Sequence, residues 1–385
     1  MPHVLVLDGL WNKTVAAVRS LGKRGYRVAV GERTRFAPAL FSRYCSRRFL
    51  CPSPVLFPES FLDALEEELR IGRYDVVLAM EFGTQILIAR NRHRFEGLAR
   101  FPFAPADLAI RVQDKGELAS FAASHGVKCP ATFRPAWLGE ASMMADRLPY
   151  PLLIKPRLSS GGRGIVRVET ASQLRKAYPK VHAVHPMPIL QECLPPGGDA
   201  LGVGVLMNFS SEPRATFAYR RLREYPVSGG PSTLRESVKD EALCRTTERL
   251  LSALGWVGVA MAEYKVDPRD GQPKLLEVNP RFWGSLHHAI VSGVDFPHLL
   301  CRMAMEGDVP LQREYRVGVR SRSVFHGELM HFIRNPERFH LRPGFLDFSI
   351  PDDLLSTSDP WPVVGRVSSL IPAFFDRELR ETMLG

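Results

Sequence analysis

The sequence predicts a protein of mixed class, α/β at its N-terminus and α+β beyond it. Two observations carry this. Over residues 1–105, short apolar runs alternate with amphipathic stretches, the strand–helix–strand rhythm of a parallel, Rossmann-like sheet. From residue 150 onward, strand-like segments follow one another across glycine- and proline-rich turns, as antiparallel strands do.

In the first part, residues 4–7 read as a buried strand and 14–21 as a helix. Gly25 is a stop before a second strand at 26–30. An amphipathic helix at 61–69 and a third strand at 75–80 complete the repeat. The first turn, DGLWNKT, lacks G-x-G-x-x-G, so dinucleotide binding is not supported. Glu81 follows the third strand at the carboxyl end, where such sheets bind ligands, although capping a helix is its more ordinary role. Pro102 and Pro105 suggest a connector. Residues 107–125 then read as helical, contain Lys115 and stop at Gly126.

The stretch YPLLIKPRLSSGGRGIVRV (150–168) places Lys155 directly after an apolar run, where an exposed lysine is not expected. SSGGRG (159–164) then offers backbone N–H groups with little side-chain obstruction, as a phosphate cradle would; a plain glycine hairpin fits equally well. Lysine precedes the glycines, and the loop joins two strands, so this is not a Walker A loop. ILQECL (189–194) is a short strand, and Asp199 lies in the bend before the next strand at 202–208. Residues 216–223 end in Arg220, Arg221 and Arg223, which would suit a carboxylate or a phosphate, or simply a solvated face. Residues 236–254 have helical apolar spacing and stop at Gly255.

Two strands, VAMAEYKV (259–266) and KLLEVN (274–279), flank the turn DPRDG. Strand alternation puts Leu276 and Val278 on one face and Glu277, Asn279 and Arg281 on the other. Pairing Val266 with Lys274 places Glu263 opposite Glu277. Two facing carboxylates repel. A hard cation between them reverses the sign, since Mg²⁺ prefers carboxylate oxygens and shares its shell with phosphates. The alternative is a solvated hairpin with exposed acids. Helices are expected over 285–291, 296–306, 324–334 and 375–383; His287 and His288 are adjacent and so lie on different helix faces.

The chain has 385 residues, 45% hydrophobic and 24% charged, enough for two or three domains. Its six cysteines form no close-spaced ligand pair, which disfavours a zinc site or a disulfide framework and leaves a reducing cytoplasm as the expected location. The N-terminus has no basic flank and Asp8 interrupts its apolar run, so no signal peptide or membrane span is expected. The net charge of +10 is dispersed and carries no nucleic-acid motif, so attraction of small anionic substrates is the better explanation.

Taken in order over residues 1–311, these marks resemble the ATP-grasp superfamily, in which an N-terminal α/β domain precedes two lobes that grip ATP between antiparallel sheets. The resemblance implies a Rossmann-like domain at 1–105, a small lobe at 106–188, a large lobe with a metal site at 189–311, and an extension of unread role at 312–385. It implies that Lys115 and Lys155 reach the phosphates and that the loop of Ser159, Ser160, Gly161 and Gly162, through Gly164, covers them. The backbone of Glu192 and Leu194 would read adenine, and Asp199 the ribose, where the family more often uses Glu. Glu263, Glu277 and Asn279 match magnesium ligands, with Mn²⁺ as a substitute. Arg281 matches an arginine that stabilises an acyl phosphate, assisted by Lys155. The implied activity is an ATP-dependent carboxylate–amine ligase acting on small molecules, with Arg220 and Arg221 as the expected grip on the substrate carboxylate. A homodimer is common in the family. Bicarbonate activation, or nucleotide binding without turnover, are the alternatives.

Overall fold

The structure, a computed structural model, describes residues 1–376 apart from Ser160 and Ser228. Four parallel strands open the chain: β1 (His3–Val6), β2 (Arg27–Glu32), β3 (Cys45–Leu50) and β4 (Val76–Leu78), in the order β3-β2-β1-β4. The side chains of Val4, Leu5 and Val6 are all fully buried, as expected of a central strand covered on both faces. The edge strand β3, CSRRFL, was not anticipated; its adjacent Arg47 and Arg48 are the charged decoration an edge tolerates. Asp8, just after β1, accepts from the amides of Met80 (2.9 Å) and Glu81 (2.8 Å) and from the Thr84 hydroxyl (2.6 Å). This ties the first turn to the turn after β4 and fixes where Glu81 stands.

The expected single helix over 107–125 is two helices, Ala106–Gln113 and Lys115–Ser124, broken at Asp114. Asp114 caps the second by accepting from the amides of Gly116 (2.9 Å) and Glu117 (3.0 Å). An antiparallel sheet follows, built of β5 (Thr132–Phe133), β6 (Leu152–Lys155), β7 (Val166–Val168) and β8 (Ile189–Glu192) in the order β5-β8-β6-β7. The helix Ala171–Val184 covers it through Leu174, Tyr178 and Val181.

The third unit is a six-stranded sheet ordered β13-β12-β9-β10-β11-β14. Its strands are β9 (Ala200–Met207), β10 (Pro213–Glu224), β11 (Ser232–Ser237), β12 (Gly258–Asp267), β13 (Gln272–Asn279) and β14 (Arg320–Arg322). The helix expected from residue 236 starts later, at Glu241–Ala253, because Ser232–Ser237 pairs with β10 and Asp240 caps the helix instead. Two glycines of β9 make room on one face of the sheet. A Cβ on Gly202 would fall 2.4 Å from the Tyr219 ring, and one on Gly204 2.4 Å from Trp283. That face packs against the helices Leu286–Ser292 and Phe296–Glu306 and the N-terminal domain, while the other face packs on Glu241–Ala253.

The segment after residue 311 is tied into both ends of the molecule. Through β14 it adds an edge to the large sheet, and Asp353 pairs with the buried Arg235 at 2.5 Å. Further on, the fully buried Asp359 receives Arg19 Nε (2.9 Å), the Ser42 hydroxyl (2.8 Å) and the Arg43 amide (2.9 Å), all from the N-terminal domain. The helix expected over 324–334 is present as a π-helical turn, Val324–Glu328, running into Leu329–Arg334. The one expected over 375–383 lies, apart from its first two residues, outside the described residues. Among the described residues no helix is long and apolar enough to cross a membrane.

Removing one partner of a buried ion pair strands the other charge. Asp359→Ala is therefore expected to lower unfolding stability by about 3–5 kcal/mol in urea titration. A loss below about 1 kcal/mol, the range of surface pairs, would show that the strap is not held this way.

Candidate active site

Strands β12 and β13 set Glu263 directly opposite Glu277, and Met261 opposite Asn279. The pairing expected at the turn end differs: Lys274 faces Lys265, not Val266, because a bulge between Glu263 and Tyr264 inserts one residue into β13. The bulge also corrects the expected faces. Leu275, rather than Leu276, joins Val278 in the buried core. From Glu277 onward the alternation holds, so Glu277 and Asn279 share a face with Glu263.

Each carboxylate is met by a cation. Glu277 Oε2 lies 3.0 Å from Lys115 Nζ, and Glu263 pairs with Arg221. Asn279 donates from Nδ2 to Glu263 Oε1 at 3.1 Å, which leaves its carbonyl oxygen to the same space. Burial pushes the Glu263 carboxyl up from its usual range, against Arg221, with Glu277 adding to the rise. Burial acts on Glu277 too, but Lys115, then Lys155 and Arg221, hold it below that range. The donor set is all oxygen, two carboxylates and an amide carbonyl, and it fits a hard divalent cation.

The two lysines come from different elements. Lys115 is the first residue of its helix, is 4% exposed, and donates to the Ser159 carbonyl as well as to Glu277. Lys155 ends β6, and its Nζ donates to Gln191 Oε1 at 2.5 Å. Burial pulls Lys155 down to about 8, and Lys115 adds to this while Glu277 opposes it. Gln191 also donates to the Thr132 hydroxyl at 2.9 Å, so this buried amide orients the lysine. Sequence reasoning missed Gln191; the one signal was a polar residue inside a short apolar strand.

Ser159 to Gly164 join β6 and β7, with Gly161, Gly162 and Gly164 at φ of 67°, 77° and 72°, a region that side chains disfavour. Ser160 lies outside the described residues. The Glu192 amide donates to Ala131 O (2.8 Å), and its carboxylate pairs with Arg269.

Two expectations need correction. Arg220 and Arg221 are consecutive in β10 and so leave opposite faces. Arg221 joins Glu263, whereas Arg220 pairs with Asp199 (3.3 Å) and Glu236 (2.9 Å), so the two cannot grip one carboxylate. Asp199 goes with Arg220 and is not among the groups gathered around Glu263. Glu81 was expected to cap a helix. It occupies the N-cap position, but its side chain makes no capping bond and instead meets Lys13 at 2.5 Å. Lys13, a residue the sequence did not flag, also donates to Phe282 O at 3.0 Å, and Arg281 Nη1 donates to the same oxygen at 2.9 Å.

Residues 209–325 match the family model described as "ATP-grasp in the biosynthetic pathway with Ter operon". The carbamoyl phosphate synthase large chain of Thermotoga neapolitana is 28% identical over 232 residues, which is 56% of this chain and 20% of that protein. The acetyl-CoA carboxylase of Schizosaccharomyces pombe is 24% identical over 217 residues, 53% of this chain and 9% of that protein. The chain thus spans a fifth or less of the length of these relatives. Among solved structures, an ADP complex of N5-carboxyaminoimidazole ribonucleotide synthetase superposes with a TM-score of 0.68 at 16% identity, covering 88% of this chain and 86% of that one. A biotin carboxylase from Campylobacter jejuni gives 0.68 at 17%, covering 83% and 74%. An L-amino acid ligase from Bacillus licheniformis gives 0.59 at 19%, covering 80% and 74%.

If Glu277 holds a divalent cation, Glu277→Gln removes a charged ligand while keeping its shape. Isothermal titration of ADP should then show the magnesium-dependent gain in affinity reduced on the order of 100-fold, with an unchanged circular dichroism spectrum. The same magnesium dependence in both proteins would remove Glu277 from the metal site.

Proposed function

Taking as premise that the chain is an ATP-grasp enzyme, we propose that it activates a substrate carboxylate with ATP and joins it to an amine, releasing ADP and phosphate. The observation that supports this best is the convergence of Glu263, Glu277 and Asn279, from paired strands of the large sheet, with Lys115 and Lys155. In this reading the N-terminal unit is Rossmann-like and the extension after 311 is an added strap. The expected start of the large lobe at 189 is corrected, since β8 (Ile189–Glu192) pairs with β5 and β6 and so belongs to the small lobe.

In this reading the protein's task is placement and charge compensation rather than covalent chemistry. Lys115 and Lys155 offset the charge on the nucleotide phosphates. Gln191 keeps Lys155 pointed at them. Gly161, Gly162 and Gly164 lie over the phosphates and shut out water, and the backbone at Glu192 and Leu194 seats the base. Mg²⁺, or Mn²⁺ in its place, held by Glu263, Glu277 and Asn279, supplies charge neutralisation at the transferring phosphoryl group. Arg281, anchored on Phe282 O, stabilises the charge that builds on the acyl phosphate. Arg221 pairs with Glu263 and opposes the effect of burial on its carboxyl.

Bicarbonate as the activated carboxylate is the second reading. It is favoured by the relatives whose names include carbamoyl phosphate synthase and acetyl-CoA carboxylase.

The two readings separate in an ADP-release assay of the full chain with MgATP. Pools of amino acids and small carboxylates are supplied with and without bicarbonate, and products are weighed by mass spectrometry. The ligase reading expects ADP release that needs an organic carboxylate and an amine, with a product equal to their sum less water. Release that depends on bicarbonate alone would favour the carboxylase, and no release under any condition would sink both.

A further inference from the structure

Three partly exposed carboxylates stand near the carboxyl ends of the N-terminal strands, and two of them are hydrogen-bonded through both oxygens. Asp8 spends both oxygens on the Met80 and Glu81 amides and the Thr84 hydroxyl. Glu32 spends its oxygens on the Leu10 amide (3.0 Å) and the Arg33 amide (2.7 Å). Glu81 differs. One oxygen meets Lys13, yet 28% of the side chain remains open. A carboxylate has about four lone-pair positions, so one lysine does not saturate it.

The position of Glu81 explains what that opening faces. Lys13 bonds both Glu81 Oε1 and Phe282 O, and Arg281 bonds the same Phe282 oxygen. Glu81 is therefore three short contacts from the arginine assigned to the acyl phosphate. Burial would raise the Glu81 carboxyl, but Lys13, Arg281 and Arg163 together hold it below the usual range. Arg281 belongs to the large lobe and Arg163 to the glycine loop. Glu81, on the N-terminal domain, is thus an anion under the influence of cations from all three units. An incoming nitrogen nucleophile has to come close to this cluster to attack next to Arg281.

Resting on the ligase reading above, we propose that the open oxygen of Glu81 binds the protonated amine of the acceptor, so that the enzyme selects a primary ammonium substrate such as an amino acid over an uncharged nucleophile. The bound amine passes one proton by way of that oxygen to water before its lone pair attacks the acyl carbon. The C–O bond to phosphate then breaks, and phosphate leaves with the second amine proton. Asp8 and Lys13 are the positioning groups. The first fixes the Glu81 backbone, and the second pairs with the Glu81 carboxylate while sharing the Phe282 carbonyl with the Arg281 guanidinium. The surplus of positive charge from Arg281 and Arg163 is left for the phosphoryl group, so the two charges of the reacting pair are sorted to opposite sides of one small space.

Hydroxylamine, uncharged above neutral pH, serves as the contrasting nucleophile. Full-length wild type, Glu81→Gln and Glu81→Asp are incubated with MgATP and a pool of the common L-amino acids and small carboxylates, with and without hydroxylamine. Amides and hydroxamates are then counted by mass spectrometry. Losing a charge-assisted hydrogen bond should lower the amide-to-hydroxamate ratio of Glu81→Gln by about tenfold or more, through the KM of the amine, and Glu81→Asp should recover part of the ratio. An unchanged ratio in Glu81→Gln, or a parallel loss of both products, overturns the assignment of Glu81 while the ligase reading stands. Wild type that forms neither product overturns the ligase reading itself, and this inference with it.

Discussion

Two carboxylates held opposite each other on one sheet face repel, and the structure around Glu263 and Glu277 is organised to offset that repulsion. Backbone pairing leaves them no freedom to separate. Charge compensation has to come from outside the hairpin, and it comes from two other elements: Lys115 at the start of a helix and Arg221 on β10. A carboxylate pair that only stabilised the hairpin would do better replaced by neutral residues, since buried ion pairs rarely repay their desolvation. The arrangement makes sense as a place where a doubly charged ion is accommodated and where cations stand ready for phosphates.

The remaining architecture determines where that charge cluster faces. Gly202 and Gly204 thin one face of the sheet so that Tyr219 and Trp283 can pack there, and this brings the N-terminal domain close to Phe282 and Arg281. The segment after 311 then fastens the same two units through Asp353 and Asp359. Lys13 links Glu81 to the Phe282 carbonyl that Arg281 also bonds, and buried contacts on either side hold the parent units together.

Strand periodicity made the central feature legible. Alternation put Glu277 and Asn279 on one face, but Glu263 was set against Glu277 by an assumed pairing of Val266 with Lys274; the carboxylate pair is present, whereas the bulge places Lys274 opposite Lys265. A bulge leaves no sequence signal short of a glycine or a misfitting apolar residue, and Leu276 looked ordinary. Where partners are far apart in the chain, pattern was silent: Lys13 and Glu81, or Lys155 and Gln191, meet only through the tertiary fold. Other features were readable and overlooked. Asp114 and Glu117 have the spacing of a capping box, which marks the break before Lys115, and Asp240 marks the later helix start. The pairing of Arg220 with Arg221 failed on strand geometry alone, since neighbours in a strand cannot face the same ligand.

The claim that matters most is that Glu263 and Glu277 exist to share a metal with a nucleotide. A crystal structure of the chain with ADP and Mn²⁺, read by anomalous scattering, tests it directly. The account expects a metal peak between the two carboxylates, with the Asn279 carbonyl in its shell and Lys115 turned from Glu277 toward a phosphate. Manganese bound elsewhere, with Lys115 still on Glu277 and Arg221 still on Glu263, would contradict it.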